Sequence, residues 1–181
     1  HASLVQRAAQ AGKHVLVEPP LALAAGEAKQ VVAAGRDAGV RLMLAHPARF
    51  QADHRAIKAS LDDGELGRPG LLRVHHWFPA TNRSGHAAHA GLAALDLAVW
   101  VFGGLPTHVY AVTRPAQASL AEAEYAQVHL GFAGGGMALI DLAHTLPTGD
   151  GHRSLTLIGS LGAAHADDHH NVQLLYGGGH A

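Results

Sequence analysis

Ala11-Gly12-Lys13-His14-Val15-Leu16-Val17-Glu18-Pro19-Pro20-Leu21-Ala22-Leu23 decides how this chain is read. Residues 2–11 before it are Ala-rich, and Gly12 sits where a helix needs a left-handed C-terminal residue. His14 to Glu18 is a short apolar run between breakers, which predicts a buried strand. Pro19-Pro20 then fixes a rigid corner, since proline locks φ and donates no hydrogen bond.

The theme repeats downstream. Gly26 to Ala38 predicts a helix with Ala28, Val31, Val32 and Gly35 on one side, stopped by Gly39, and Val40 to Ala45 predicts the next strand. Strand–helix–strand alternation implies a right-handed crossover and a parallel sheet. Beyond it, Phe50, His54, Ile57 and Leu61 form a helical stripe ended by Gly64. From Leu71 the period becomes two: Leu72, Val74, His76 and Phe78 alternate with Leu71, Arg73, His75 and Trp77. Leu92, Leu95, Val99 and Phe102 mark a further helix, with Asp96 on its apolar side. After Pro106 strands are expected at 107–114, 123–132, 136–144, 153–159 and 171–176, with tight turns at Gly134-Gly135 and Gly159 to Gly162. The fold class is therefore α/β. A remnant of a doubly wound parallel sheet is followed by an α+β domain with a large open sheet.

Composition narrows the function. Of 181 residues, 48% are hydrophobic and 15% charged, which is globular. A net charge of −1 gives no electrostatic case for nucleic acid or an anionic membrane. No apolar run is long enough to span a bilayer. The absence of cysteine rules out disulfides and thiolate metal sites and fits a reducing, cytoplasmic compartment. The 16 histidines would swing the charge positive at mildly acidic pH. His75-His76, His86 with His89, and Asp167-Asp168-His169-His170 raise a metal reading. Neighbours in a strand point to opposite faces, however, and Asp167 to His170 reads as a polar hairpin turn. No metal site is assigned. Gly134-Gly135-Gly136 and Gly177-Gly178-Gly179 lie among strands with no following helix, so they read as turns and not as phosphate-binding loops.

Five blocks in order resemble the Gfo/Idh/MocA dinucleotide-dependent oxidoreductases. Ala11 to Leu23 is similar to that family's AGKHVLVEKPLAL region, and His46-Pro47-Ala48-Arg49-Phe50 to its His-x-x-Arg-Phe turn. Lys58 to Pro69 resembles the helix-to-sheet entry of its second domain. Leu95 to Gly103 resembles its helix ending in Trp-x-x-Gly, and Ile158 to Gly162 its Gly-Thr-x-Gly hairpin. The resemblance implies the end of a Rossmann domain over 1–46. Over 47–181 it implies a C-terminal domain whose open, mainly antiparallel sheet serves substrate binding and pairing with a like subunit or paralogue. It also implies NAD or NADP as cofactor and a sugar, cyclitol or similar polyol as substrate.

Two departures bear on activity. Pro19 stands where the resemblance implies the catalytic lysine, and proline has no charge or donor to give a reacting oxygen. Ala93 stands where it implies a histidine acid/base, leaving His89, four residues earlier on the same helix face, as a replacement or as a plain helix-start residue. Glu18, Pro19, Pro20 and Arg49 are assigned to the cofactor side, and His46, His76 and Asp96 to the substrate. Arg49 and His46 follow a strand's C-terminal end, where open α/β sheets bind ligands, yet they also suit turn anchoring. Asp96 suits a structural hydrogen bond equally well. The expectation is a partial chain, not competent for hydride transfer alone. The alternative is a non-catalytic module pairing through its sheet, with Ala126, Val128, Leu130 and Phe132 as the apolar face.

Overall fold

A computed structural model describes residues 1–79, 86–115, 123–147, 151–168 and 172–176, with backbone alone at 86–89 and 172–176. The chain divides into two compact units, His1–Pro47 and Ala48–Ala181.

The first unit holds α1 (Ala2–Gln10), β1 (Val15–Val17), α2 (Ala25–Asp37) and β2 (Leu42–Leu44). β1 and β2 pair in parallel, Val15 with Leu42 through Val17 with Leu44, as the strand–helix–strand pattern requires. Gly12 and Gly39 end the two helices at φ of 70° and 63°, the left-handed region that favours glycine. Ala2, Val5 and Val31 form a small core with Val15, Val17 and Leu42 packed on it. Val32, expected beside Val31, is instead 46% exposed, because the inward stripe of α2 is narrow and passes through Val31 and Gly35. The Pro19–Pro20 bond is cis.

The second unit begins with a 3-10 turn that ends at Phe50, then α3 (Ala52–Asp62), β3 (Pro69–Pro79), α4 (His86–Phe102) and six further strands. These are β4 (His108–Arg114), β5 (Tyr125–Gly131), β6 (Met137–Leu146), β7 (His152–Gly159), β8 (Gly162–Asp167) and β9 (Val172–Tyr176). They form one open sheet in the order β4-β5-β6-β3-β7-β8-β9. Only β3 and β6 run parallel, and every other pairing is antiparallel. The strand missing from the sequence reading is β8, where Ala163, Ala164 and Ala166 give little strand propensity. Asp167, expected in a turn, ends that strand, and His169 and His170 lie outside the described residues.

The sheet buries one face against α3 and α4. Leu72, Val74, Ile140, Leu155 and Leu157 from the sheet meet Ile57, Leu61, Leu97 and Ala98 from the helices. Ala126, Val128, Leu130 and Phe132 belong to this same core, so they cover the chain's own helix and are not free to pair with another subunit. The stripe of α4 is also rotated from the expected one. Ala90, Ala94, Leu97, Ala98 and Val101 face inward, while Leu92, Leu95 and Val99 are half-buried. Small side chains let the helix lie close on the sheet, and a helix apolar nearly all round gives no single stripe to read. Phe50, assigned to the stripe of α3, is 62% exposed because the 3-10 turn ends before that helix starts.

At Gly159 and Gly136 contact leaves no room for a side chain. A Cβ on Gly159 would run into the Leu66 carbonyl, and one on Gly136 into the Phe102 ring. Gly134 and Gly135 make the β5–β6 turn at φ of 93° and 89°.

Candidate functional site

Register alone gives the sheet's inner face a polar end. Along β3 the inward residues are Leu72, Val74 and His76, and along β7 they are Leu157, Leu155 and Arg153, so His76 and Arg153 are paired. On β6 the inward series Ile140 and Leu142 continues to His144. The apolar core thus runs out, toward the C-terminal end of β3, into two histidines and an arginine. His76 and His144 are buried, at 8% and 3% exposure. Phe78 bridges them: its ring lies 5.9 Å from His76, edge to face, and 5.8 Å from His144 in a near-parallel stack.

Two helices close on this end. His54 in the first turn of α3 hydrogen-bonds through Nδ1 to the Ala48 carbonyl at 2.8 Å, which leaves Nε2 as its other ring atom. His76 hydrogen-bonds to the backbone of Ala90 in α4. Burial, reinforced by the nearby Arg153, His54 and His75 and opposed by the Ala90 contact, lowers the His76 pKa to about 4. Its Nδ1 is buried and has no hydrogen-bond partner among the described residues. A neutral imidazole held this way can donate or accept at a hydroxyl, but it does not itself carry charge near neutral pH.

Arg49 and Asp96 are brought together elsewhere on the same unit. The Arg49 Nε donates to Asp96 Oδ2 at 2.7 Å and Nη2 to Oδ1 at 2.6 Å, a bidentate pair between the 3-10 turn and α4. Asp96 is 12% exposed and Arg49 36%. The hydrogen bond to Asp96 raises the Arg49 pKa against the effect of burial. Arg49 and Lys58 both approach the Trp100 ring, at 5.9 and 5.7 Å from its centroid. Lys58 also pairs with Asp62 one turn on.

The other residues singled out in the sequence fall as follows. Glu18, Pro19, Pro20 and His46 lie in the first unit, at the ends of β1 and β2. Pro19 is buried and Glu18 exposed, and the Pro20 carbonyl accepts from His1 Nδ1 at 3.1 Å. Ala93 is part-buried on α4. His89 lies in the first turn of α4, and its side chain, like that of His86, is outside the described residues. Sequence reasoning missed His144, Arg153 and the position of His54 beside His76. The period of two from Ile140 and Leu142 points straight at His144, and the same period points at Arg153 from Leu157 and Leu155.

The outer face of the sheet is a second polar surface. His75 lies 3.3 Å from Asp141 and hydrogen-bonds Ser154 at 2.9 Å, with its pKa lowered mainly by burial. Trp77 packs on His152 at 5.0 Å. His75 and His76 therefore face opposite ways. Among the described residues no group of three His, Asp or Glu side chains converges to hold a metal ion.

A strand–helix–strand unit followed by an open sheet backed by helices defines an α/β protein of the Rossmann-plus-open-sheet class. Comparison with known proteins gives the particular family. The model described as "GFO/IDH/MocA C-terminal domain" matches residues 54–165, and that described as "Oxidoreductase family, NAD-binding Rossmann fold" matches residues 1–46. The chain belongs to the GFO/IDH/MocA oxidoreductase family. It is 29% identical to the uncharacterized oxidoreductase YrbE of Bacillus subtilis over 93% of this chain and 52% of that protein. It is 30% identical to D-apiose dehydrogenase of Paraburkholderia graminis over 80% of this chain and 41% of that enzyme. The WlbA dehydrogenase of Bordetella pertussis, solved with NADH and UDP-GlcNAcA, shares the fold with a TM-score of 0.83 at 22% identity, over 99% of this chain and 57% of that one. The chain spans about half the length of the curated relatives it matches. No helix among the described residues is long and apolar enough to cross a membrane.

Proposed function

We propose that this chain is part of an NAD(P)-linked oxidoreductase acting on a sugar, cyclitol or similar polyol, and that by itself it does not turn substrate over. The observation that carries the first half is the polar end of the buried sheet face. Histidines cost free energy to bury, and His76 and His144 sit with Arg153 at one end of a core that is otherwise apolar. Neutral imidazoles and a guanidinium suit the hydroxyls of a polyol.

The second half rests on Pro19 and Ala93. Neither can donate or accept a side-chain proton, and hydride transfer from a carbinol also needs its hydroxyl proton removed. The residues of His1–Pro47 do not make a dinucleotide site by themselves. β1 ends in cis Pro19–Pro20 and β2 in Ala45-His46-Pro47, and neither strand leads through a glycine-rich turn into a helix. In this reading Arg49 and Asp96 anchor the 3-10 turn to α4, since each satisfies the other, while His89 is the residue to test as a replacement acid/base.

The test has two readouts. The purified chain and its Pro19→Lys variant are assayed with NAD and NADP against myo-inositol and D-glucose. No nicotinamide reduction is expected from either, and turnover by either refutes the second half. Ring signals of His76 and His144 are followed by NMR during myo-inositol addition. They are expected to shift, and unmoved signals refute the polyol site.

A second reading, an assembly role through the outer face, is favoured by exposed apolar residues at one edge. Tyr110 on β4 is 65% exposed, with Val112 and Tyr125 exposed on the same face. Light scattering decides it: a second copy or paralogue on this face gives a dimer or larger, and a monomer at high concentration sinks it.

A further inference from the structure

We infer that the β7 side of the polar end, formed by Arg153, His76 and His54, is a subsite for an anionic group, a carboxylate or phosphate carried by the polyol. The inference rests on the polyol reading above and narrows it to an acidic or phosphorylated substrate.

Three observations converge. First, Arg153 is a cation held in place by its backbone, and among the described residues it has no counter-ion. Its backbone N–H donates to Asp168 Oδ2 at 2.9 Å and its carbonyl accepts from the Asp168 N–H at 3.0 Å, so the residue is pinned in the sheet. Among the described residues its guanidinium makes no ion pair. Arginine with its planar fork is the residue best shaped for a carboxylate or phosphate. Second, the register sets it across from His76, which is more than nine-tenths buried with a partnerless Nδ1. Because the other ring nitrogen donates to the Ala90 backbone, this Nδ1 is an acceptor and suits a substrate hydroxyl next to the anion held by Arg153. Third, the titratable groups that act on His76 are Arg153, His54 and His75, all bases and none a carboxylate.

The acidic residues nearby are engaged: the Asp168 carboxylate accepts from the Arg153 backbone N–H and lies 3.7 Å from His152. The Asp53 carboxylate accepts from the His54 N–H at 2.8 Å. Glu124 is placed beside His144 by the hydrogen bond from the His144 N–H to its carbonyl, on the β5 side of the sheet. The polar end is therefore graded, cationic toward β7 and carrying a carboxylate toward β5. An acidic polyol would sit with its anion at Arg153 and its hydroxyls toward His144 and Glu124.

The test is direct binding to the chain without nucleotide, by calorimetry, using D-glucose, D-glucuronate and D-glucose 6-phosphate. At least one of the two anionic sugars should bind about tenfold or more tightly than D-glucose, and the tighter one identifies the source of the charge. Arg153→Gln should bring the ratio to within about twofold, and His54→Gln should reduce it partway. Because Arg153 is exposed, its replacement is expected to leave the melting temperature in place, which separates loss of site from loss of fold. A bound anion should also raise the His76 pKa, read from its ring proton by NMR. Equal binding of glucose and both anionic sugars overturns the inference and leaves the polyol reading standing. A preference that survives Arg153→Gln overturns it as well. Binding of none of the three overturns both.

Discussion

Replacing Asp96 by Asn removes one charge from the pair that ties the 3-10 turn to α4 while keeping the side chain's shape. The geometry is that of a strong pair, with two charge-assisted hydrogen bonds of 2.7 and 2.6 Å. Fully buried pairs cost about 3–5 kcal/mol to break by removing one partner, and exposed pairs about 0–1 kcal/mol. Asp96 is at 12% exposure and Arg49 at 36%, so solvent screens one end only. An intermediate cost of about 2 kcal/mol follows. In a chain of 181 residues that corresponds to a fall in melting temperature of about 4–8 °C. The assay is urea unfolding of the parent, Asp96→Asn, Arg49→Gln and the double variant. The coupling between the two sites should be about 1–2 kcal/mol, since residues in direct contact do not add. Arg49→Lys should recover little, because an ammonium cannot span both carboxylate oxygens. Single effects that add to within about 0.5 kcal/mol would mean the pair is incidental, and the anchoring role would be wrong.

Two further outcomes are expected. Gly159→Ala should destabilise by about 3 kcal/mol or more, because its Cβ meets main-chain atoms of Leu66 and Arg68 that cannot turn aside, whereas Gly104→Ala, in open space, should be near neutral. Equal melting temperatures for the two variants would contradict the packing at that hairpin. His76 binds its proton less readily folded than unfolded, so the unfolded chain holds more protons between pH 6.5 and about 4, and stability must fall as pH falls through that window. The loss is on the order of 3 kcal/mol, and His76→Phe should remove most of it in urea titrations at pH 7 and pH 4.5. An unchanged pH dependence in that variant would show that other groups drive the acid response.

Much of the architecture is written in periodicity. The parallel β1–β2 pair follows from two short apolar runs around a helix, and the alternation from Leu71 to Phe78 assigns both faces of β3. Where the pattern carries little contrast, it misleads. α4 has apolar residues all round, so its inward stripe was legible only once the sheet was there to select the alanines. β8 buries Ala164 and Ala166, residues too small and too poor in strand propensity to mark a strand. At the site, Arg49 and Asp96 could each be singled out alone, but their pairing spans 47 positions and no local signal joins them. Arg153 reads as an ordinary surface charge until the register sets it across from His76.

The place of β3 in the sheet governs how the second unit must assemble. With β6 it makes the one parallel pair of this sheet among the described residues, and its neighbours on both sides, β6 and β7, come late in the chain. As the polypeptide emerges, Leu71 waits for Met137 on one side and Ile158 on the other, while α4, β4 and β5 are made in between. No hairpin can form at β3, so its apolar face has only helices to cover it in the interim. The centre of the sheet therefore closes only once β7 is made, and a break in synthesis before β7 leaves the strand that carries His75, His76 and Phe78 with one edge bare. Lesions in β6 or β7 should be felt first as insoluble product during expression, before any defect in binding can be measured.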